Sequence, residues 1–100
     1  MQAAFITKIV QFDIWIMPEG NDHGEPVYDK SFTAQEVIDS MLEDGYIEDE
    51  LASGLDGDLD EHLVTNAFRM AGLRTDNYGH DVTEYLEDEG KHLVLTYYRR

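Results

Sequence analysis

Between Lys30 and Arg69 the chain carries no lysine or arginine and eleven carboxylates: Glu36, Asp39, Glu43, Asp44, Glu48, Asp49, Glu50, Asp56, Asp58, Asp60 and Glu61. That run constrains every element the segment can build. Like charges roughly 6 Å apart repel by about 0.7 kcal/mol even at the dielectric of water, and burying an unpaired carboxylate costs far more. Each element formed here must therefore be one-sided, with its acids toward solvent and its apolar residues inward. So long a run of one sign marks either a surface that serves a cationic partner or adaptation to a salt-rich environment.

The chain as a whole is nonetheless built to fold. Its 100 residues are 42% hydrophobic and 11% aromatic, too apolar for a disordered acidic tail, and the length suits a single domain spanning residues 1–100. Seven basic against 22 acidic residues leave a net charge of −15, which repels DNA, RNA and anionic membranes and attracts basic surfaces. The absence of cysteine excludes disulfides and thiolate chemistry. The apolar stretch from Ala3 to Met17 is interrupted by Lys8, Gln11 and Asp13. It suits neither a signal peptide nor a membrane span, so a soluble, cytoplasmic domain is expected.

Residues 5–17 are rich in β-branched and aromatic types. Ile6, Val10, Phe12, Ile14 and Ile16 alternate onto one face, with Phe5, Ile9, Trp15 and Met17 on the other, as in a central strand. Pro18 ends it, residues 20–26 read as a long hairpin loop, and Val27 to Phe32 form a second strand. Thr33 with Glu36 is a capping box that opens a helix with Val37, Ile38, Met41 and Leu42 inward and Gly45 as its stop. Residues 46–54 suit a short helical turn with Tyr46, Ile47 and Leu51 inward. Asp58 with Glu61 opens a second helix over Leu59, Leu63, Ala67, Met70 and Ala71, ended by Gly72. Asp81 with Glu84 opens a third, with Val82, Tyr85 and Leu86 inward and Gly90 as its stop. Leu93, Leu95 and Tyr97 alternate in a closing strand over residues 91–98. The expectation is an α+β domain of order β-β-α-α-α-β: a three-stranded antiparallel sheet with about three helices on one face.

On the first helix Glu36, Asp39 and Glu43 stand at i, i+3 and i+7, a narrow stripe opposite the apolar residues. Asp81, Glu84 and Asp88 repeat that spacing on the expected last helix. Neighbours in such a stripe lie about 5–6 Å apart at Cβ, comparable with successive phosphates of a nucleic-acid strand. Asp44 and the trio Glu87, Asp88 and Glu89 fall at helix C-termini, where the helix dipole disfavours anions by roughly 0.3–1 kcal/mol each. A chain tuned for stability alone would place lysine there. The candidate partner-binding residues are Glu36, Asp39, Glu43, Asp44, Glu48, Asp49, Glu50, Asp56, Asp58, Asp60, Asp81, Glu84 and Asp88.

Other constellations are weaker. Asp56, Asp58 and Asp60 resemble the start of an EF-hand loop, but its glycine position holds Glu61 and its bidentate glutamate position holds Ala67. His23, His62, His80 and His92 show no metal-ligand spacing. No nucleophile–base set stands out, and Gly54-Leu55-Asp56-Gly57 lacks the lysine of a phosphate loop. Trp15 and Tyr97-Tyr98 could stack bases, yet no surrounding cations would hold a strand, so they read as core and sheet residues. No catalytic residue, metal or cofactor is expected.

These features favour a small inhibitor whose carboxylates imitate phosphates and occupy the basic groove of a nucleic-acid-binding protein or nuclease, without binding nucleic acid itself. In size, acidity and helix stripes the chain is similar in overall character to small phage and mobile-element proteins that block CRISPR effectors or restriction enzymes; that resemblance rests on no motif, and it implies action in the host cytoplasm. An immunity protein or antitoxin neutralising a basic nuclease toxin would share the same physics. A halophile domain whose acids serve hydration alone is the contrasting expectation, and the scarcity of lysine (Lys8, Lys30 and Lys91) suits it.

Overall fold

The computed structural model describes residues 8–18, 24–46, 55, 61–87 and 90–99. The elements are β1 (Ile9–Ile16), β2 (Val27–Thr33), α1 (Ala34–Glu43), α2 (Glu61–Met70), β3 (Tyr78–Glu87) and β4 (Gly90–Arg99). The strands form one sheet in the order β2-β1-β4-β3. β2 and β3 pair antiparallel with their neighbours, while β1 and β4 run parallel at the centre. A parallel pair needs a long crossover, and here everything from β2 to β3 supplies it.

The α+β class therefore stands, but the three-stranded antiparallel sheet with three helices does not. The sheet is four-stranded and mixed, and the described residues contain two helices. The error lies in residues 81–90. Val82, Tyr85 and Leu86 have the i, i+3, i+4 spacing of an amphipathic helix, yet this segment is strand β3, paired residue for residue with β4 from Tyr78↔Arg99 to Glu87↔Gly90. Val82, Thr83 and Tyr85 are β-branched or aromatic and favour a pleated surface. A tertiary partner with a buried face, Leu93, Leu95 and Tyr97 of β4, settles the competition. Of the short helical turn expected over residues 46–54 only Tyr46 is described, and it is exposed rather than inward; the rest of that turn and the Asp58 cap lie outside the described residues.

The core lies between the sheet and the two helices. Phe12 and Ile14 of β1 and Leu93, Leu95 and Tyr97 of β4 meet Val37, Ile38 and Met41 of α1 and Leu63, Val64, Ala67 and Phe68 of α2. Each fully buried side chain of this size contributes about 1.5–3 kcal/mol. A register shift between Ile9 and Gln11 makes Val10 a bulge, which reverses the alternation and places Ile9 in the core beside Phe12.

Local signals set the ends of α1. Thr33 Oγ1 accepts from the Glu36 N–H at 3.1 Å, and Glu36 Oε1 accepts from the Thr33 N–H at 2.8 Å, completing the capping box. Gly45 follows with φ of 98°, in the left-handed region open to glycine. Gly90, read from sequence as a helix stop, instead begins β4. A Cβ there would collide with the Lys8 carbonyl oxygen and stand 2.8 Å from Val10 Cγ1, so the close approach of β4 to β1 requires glycine.

Candidate functional site

The sheet has one covered and one open face, and the candidate residues divide between the helix layer, the open face and the β3 edge. On α1, Ala34, Val37, Ile38 and Met41 are buried, while Glu36, Asp39, Glu43 and Asp44 are exposed. Glu36 is occupied in the capping box, and Asp39 accepts from Gln35 Nε2 at 2.8 Å. Among the described residues none of these four carboxylates forms an ion pair. The last turn of α1 holds no basic residue, so Glu43 and Asp44 stand at the negative end of the helix dipole without compensation.

The second expected stripe does not exist. In strand β3, Asp81 pairs opposite Thr96 and Glu84 opposite Leu93, so the two acids point to opposite faces of the sheet. Asp81 accepts from Tyr98 O–H at 2.6 Å, which raises the Tyr98 pKa above its ordinary 10.0. Glu84 meets Lys91 Nζ at 3.3 Å. Glu48, Asp49, Glu50, Asp56, Asp58, Asp60 and Asp88 lie outside the described residues.

The open face carries a polar cluster centred on Asp13. This aspartate sits on the central strand β1 and is only 7% exposed. Its Oδ1 accepts from Gln11 Nε2 at 2.8 Å and from Ser31 Oγ of β2 at 2.6 Å. Its Oδ2 accepts from Tyr85 O–H of β3 at 3.1 Å and lies 3.9 Å from His92 Nδ1 of β4. All four strands thus meet at one carboxylate. Tyr85 O–H also lies 3.1 Å from His92 Nδ1. Because the single tyrosine proton goes to Asp13, the Nδ1–H of His92 must donate to the tyrosine oxygen. A register shift between Ile14 and Trp15 brings Tyr28 and Ser31 to the same face, where their hydroxyls lie 2.7 Å apart.

Burial alone would raise the Asp13 pKa. The hydrogen bonds from Ser31, Gln11 and Tyr85, with the charge of His92, outweigh it and hold the carboxyl below its ordinary 3.8. Tyr85 is pushed up from 10.0 by desolvation, then by its hydrogen bond to Asp13 and the charges of Asp13 and Glu87. Asn66, the other buried polar residue, has no partner for its Nδ2 among the described residues.

The sequence reading missed Asp13 as an organising residue. The signal was present, since an acid between Phe12 and Ile14 in a central strand must find donors or stay out of the fold. Gln11 stands two positions away, but the other partners, Ser31, Tyr85 and His92, lie 18 to 79 positions along the chain, and nothing local announces them. Of the other histidines, His62 packs near Tyr46 with ring centroids 5.8 Å apart, and His80 is exposed on β3. Trp15 packs edge-on against Tyr28 at 5.6 Å on the open face, and Tyr97 is core. Among the described residues no group of three or more His, Cys, Asp or Glu side chains is placed to hold a metal ion. No helix there is long and apolar enough to cross a membrane.

Set against known protein families, curated proteins and solved structures, the chain shows no match.

Proposed function

We propose that the protein is an acidic inhibitor that imitates nucleic-acid phosphates and occupies the basic groove of a nucleic-acid-binding protein, as an anti-CRISPR or anti-restriction protein would. The observation that carries this reading is the outer face of α1. It presents exposed carboxylates at Asp39, Glu43 and Asp44 with no cationic neighbour among the described residues, the last two at the helix end least able to hold them. Asp39 and Glu43, four residues apart, share one row along the helix, and Asp44 caps its end. Contact with a lysine- and arginine-lined groove would release counterions and remove the self-repulsion of a chain at −15. Asp13 takes no part, because its oxygens are already filled by internal donors.

The test is displacement. A panel of purified basic-groove proteins (an RNA-guided nuclease, a restriction endonuclease, a polymerase and a nuclease toxin) is loaded with labelled duplex DNA and challenged with this protein at about 0.1 M salt, where the Debye length is about 10 Å. The expected result is release of DNA from at least one member, with an apparent affinity that falls steeply as salt rises. Asp39→Lys, Glu43→Lys and Asp44→Lys together should abolish release while leaving the fold intact, because Glu36 and its cap are untouched. Binding that leaves the DNA seated, or full release by the lysine variant, would overturn phosphate mimicry by this face.

A further inference from the structure

We infer that the free edge of β3 is a docking site for an extended, basic polypeptide segment, which adds to the sheet as a fifth strand. This surface is separate from α1, and the inference does not rest on phosphate mimicry.

Among the described residues β3 is the last strand of the sheet and pairs on one side only, with β4. It is ten residues long, and its pairing to β4 shows no register shift. From His80 to Glu87 every residue is exposed. The helices do not reach this strand's outer half, since Val82 and Leu86, which share the helix-side face, are 41% and 59% exposed. Alternate N–H and C=O groups of such an edge point outward, unpaired by any described residue, a ready template for another strand.

Folds commonly block an edge of this kind with a proline, a bulge or a lysine. The opposite edge, β2, is guarded in this way: Pro26 precedes it, Asp29 is bulged between Tyr28 and Lys30, and Lys30 lies within it. β3 has neither proline nor bulge, and its guards are carboxylates. Asp81 and Glu87 stand on the open face, and Glu84 stands between Val82 and Leu86 on the other. Among the described residues Asp81 and Glu87 form no ion pair. These guards admit one class of strand. A second copy would bring the same acids and its own −15, and a neutral strand gains nothing from them. A strand with cations opposite Asp81, Glu84 and Glu87 and apolar side chains opposite Val82 and Leu86 satisfies both faces at once.

The pattern defines a probe, the antiparallel heptapeptide Lys-Val-Thr-Lys-Thr-Val-Lys. Its binding is followed by amide chemical shifts of the whole protein at low salt. Two further versions carry backbone N-methyl groups on odd or on even residues, so that only one of them loses hydrogen bonds to the docking edge. The expected shifts centre on His80 to Glu87, and the two methylated peptides should differ in affinity by at least about tenfold, the effect of about 1.4 kcal/mol. A Val82→Lys, Glu84→Lys, Leu86→Lys variant should bind at least tenfold more weakly than the parent, whereas the α1 lysine variant should bind the probe as the parent does. Equal binding of both methylated peptides would reduce the contact to charge alone and overturn the inference. So would shifts centred on α1, no binding by the probe, or a β3-mediated dimer in sedimentation that excludes the peptide.

Discussion

Asp13 and the outer carboxylates of α1 are the same chemical group treated in opposite ways. Asp13 lies in the middle of the sheet, with three hydrogen-bond donors on its oxygens and His92 nearby. Asp39, Glu43 and Asp44 stand in solvent with no described cation beside them, two of them against the dipole of their own helix. Where a charge is internal the fold gathers donors from every strand to hold it. On the outside of α1 it leaves the charges unneutralised by any described residue, although one lysine in the last turn would be an easy gain. The contrast separates acids that hold the structure together from acids that the structure merely carries.

The contrast is sharpest in stability. Asp13→Ala removes the shared acceptor of Gln11, Ser31 and Tyr85, and should cost about 3 kcal/mol, since several part-buried donors lose their partner together. The Asp39→Lys, Glu43→Lys, Asp44→Lys variant should be at least as stable as the parent. Urea denaturation of both, side by side, decides the matter. Equal stabilities would mean that Asp13 is no more structural than the surface acids.

A second effect is the pH dependence of the Asp13 contribution. Its folded pKa lies below the ordinary 3.8, so the folded state favours the ionised form. The resulting stability is fully present above the unfolded pKa and is lost as pH falls through the folded one. Asp13→Asn keeps the shape and removes the titration. The stability gap between parent and this variant should therefore be constant near neutrality and shrink below about pH 3.8. A gap that persists unchanged at pH 2 would show that shape and hydrogen bonding, not charge, make the difference.

Much of this arrangement was legible in the chain, and the exceptions share a cause. Thr33 and Glu36 announced α1, Leu93, Leu95 and Tyr97 announced β4, and Ile14 and Phe12 announced β1, because each signal lies within a few residues of the element it specifies. The Val82/Tyr85/Leu86 spacing misled because ten residues fit either period, and the arbiter, β4, comes later in the chain. The loss of the Asp81/Glu84 stripe follows directly: a period of 2 sends positions three apart to opposite faces. Ile9 moved to the core because a bulge at Val10 leaves no mark in composition. The Asp13 cluster was invisible for a related reason, since it is made by strand order, and the parallel β1–β4 pairing depends on a crossover that no local pattern encodes.

Within the cluster the donors should rank by burial. Tyr85 is 41% exposed, so water can replace its hydroxyl more readily than that of half-buried Ser31. Tyr85→Phe should cost about 1 kcal/mol, because its bond to the carboxylate is long, at 3.1 Å, and open to water. Ser31→Ala should cost about 2 kcal/mol, because its bond to the same carboxylate is shorter, 2.6 Å against 3.1 Å, and lies in a drier position. Thermal melts of the two variants check the order, and a costlier Tyr85→Phe would mean that His92 depends on the tyrosine for its place beside Asp13.

The smallest effect lies at the end of α1, and it bears on why the acids are there. Glu43→Gln and Asp44→Asn remove two charges from a helix C-terminus and should stabilise the fold by about 0.3–1 kcal/mol each at low salt. In a domain of this size the pair is worth a rise of several degrees in Tm, at about 4–8 °C per kcal/mol. The gain should fade at 1 M salt, where the Debye length is about 3 Å. A neutral pair that is more stable and loses DNA displacement would identify these carboxylates as kept for binding against their cost to the fold. A neutral pair that is more stable and displaces DNA as the parent does would leave hydration as their only use, and the binding face would have to be sought elsewhere on the molecule.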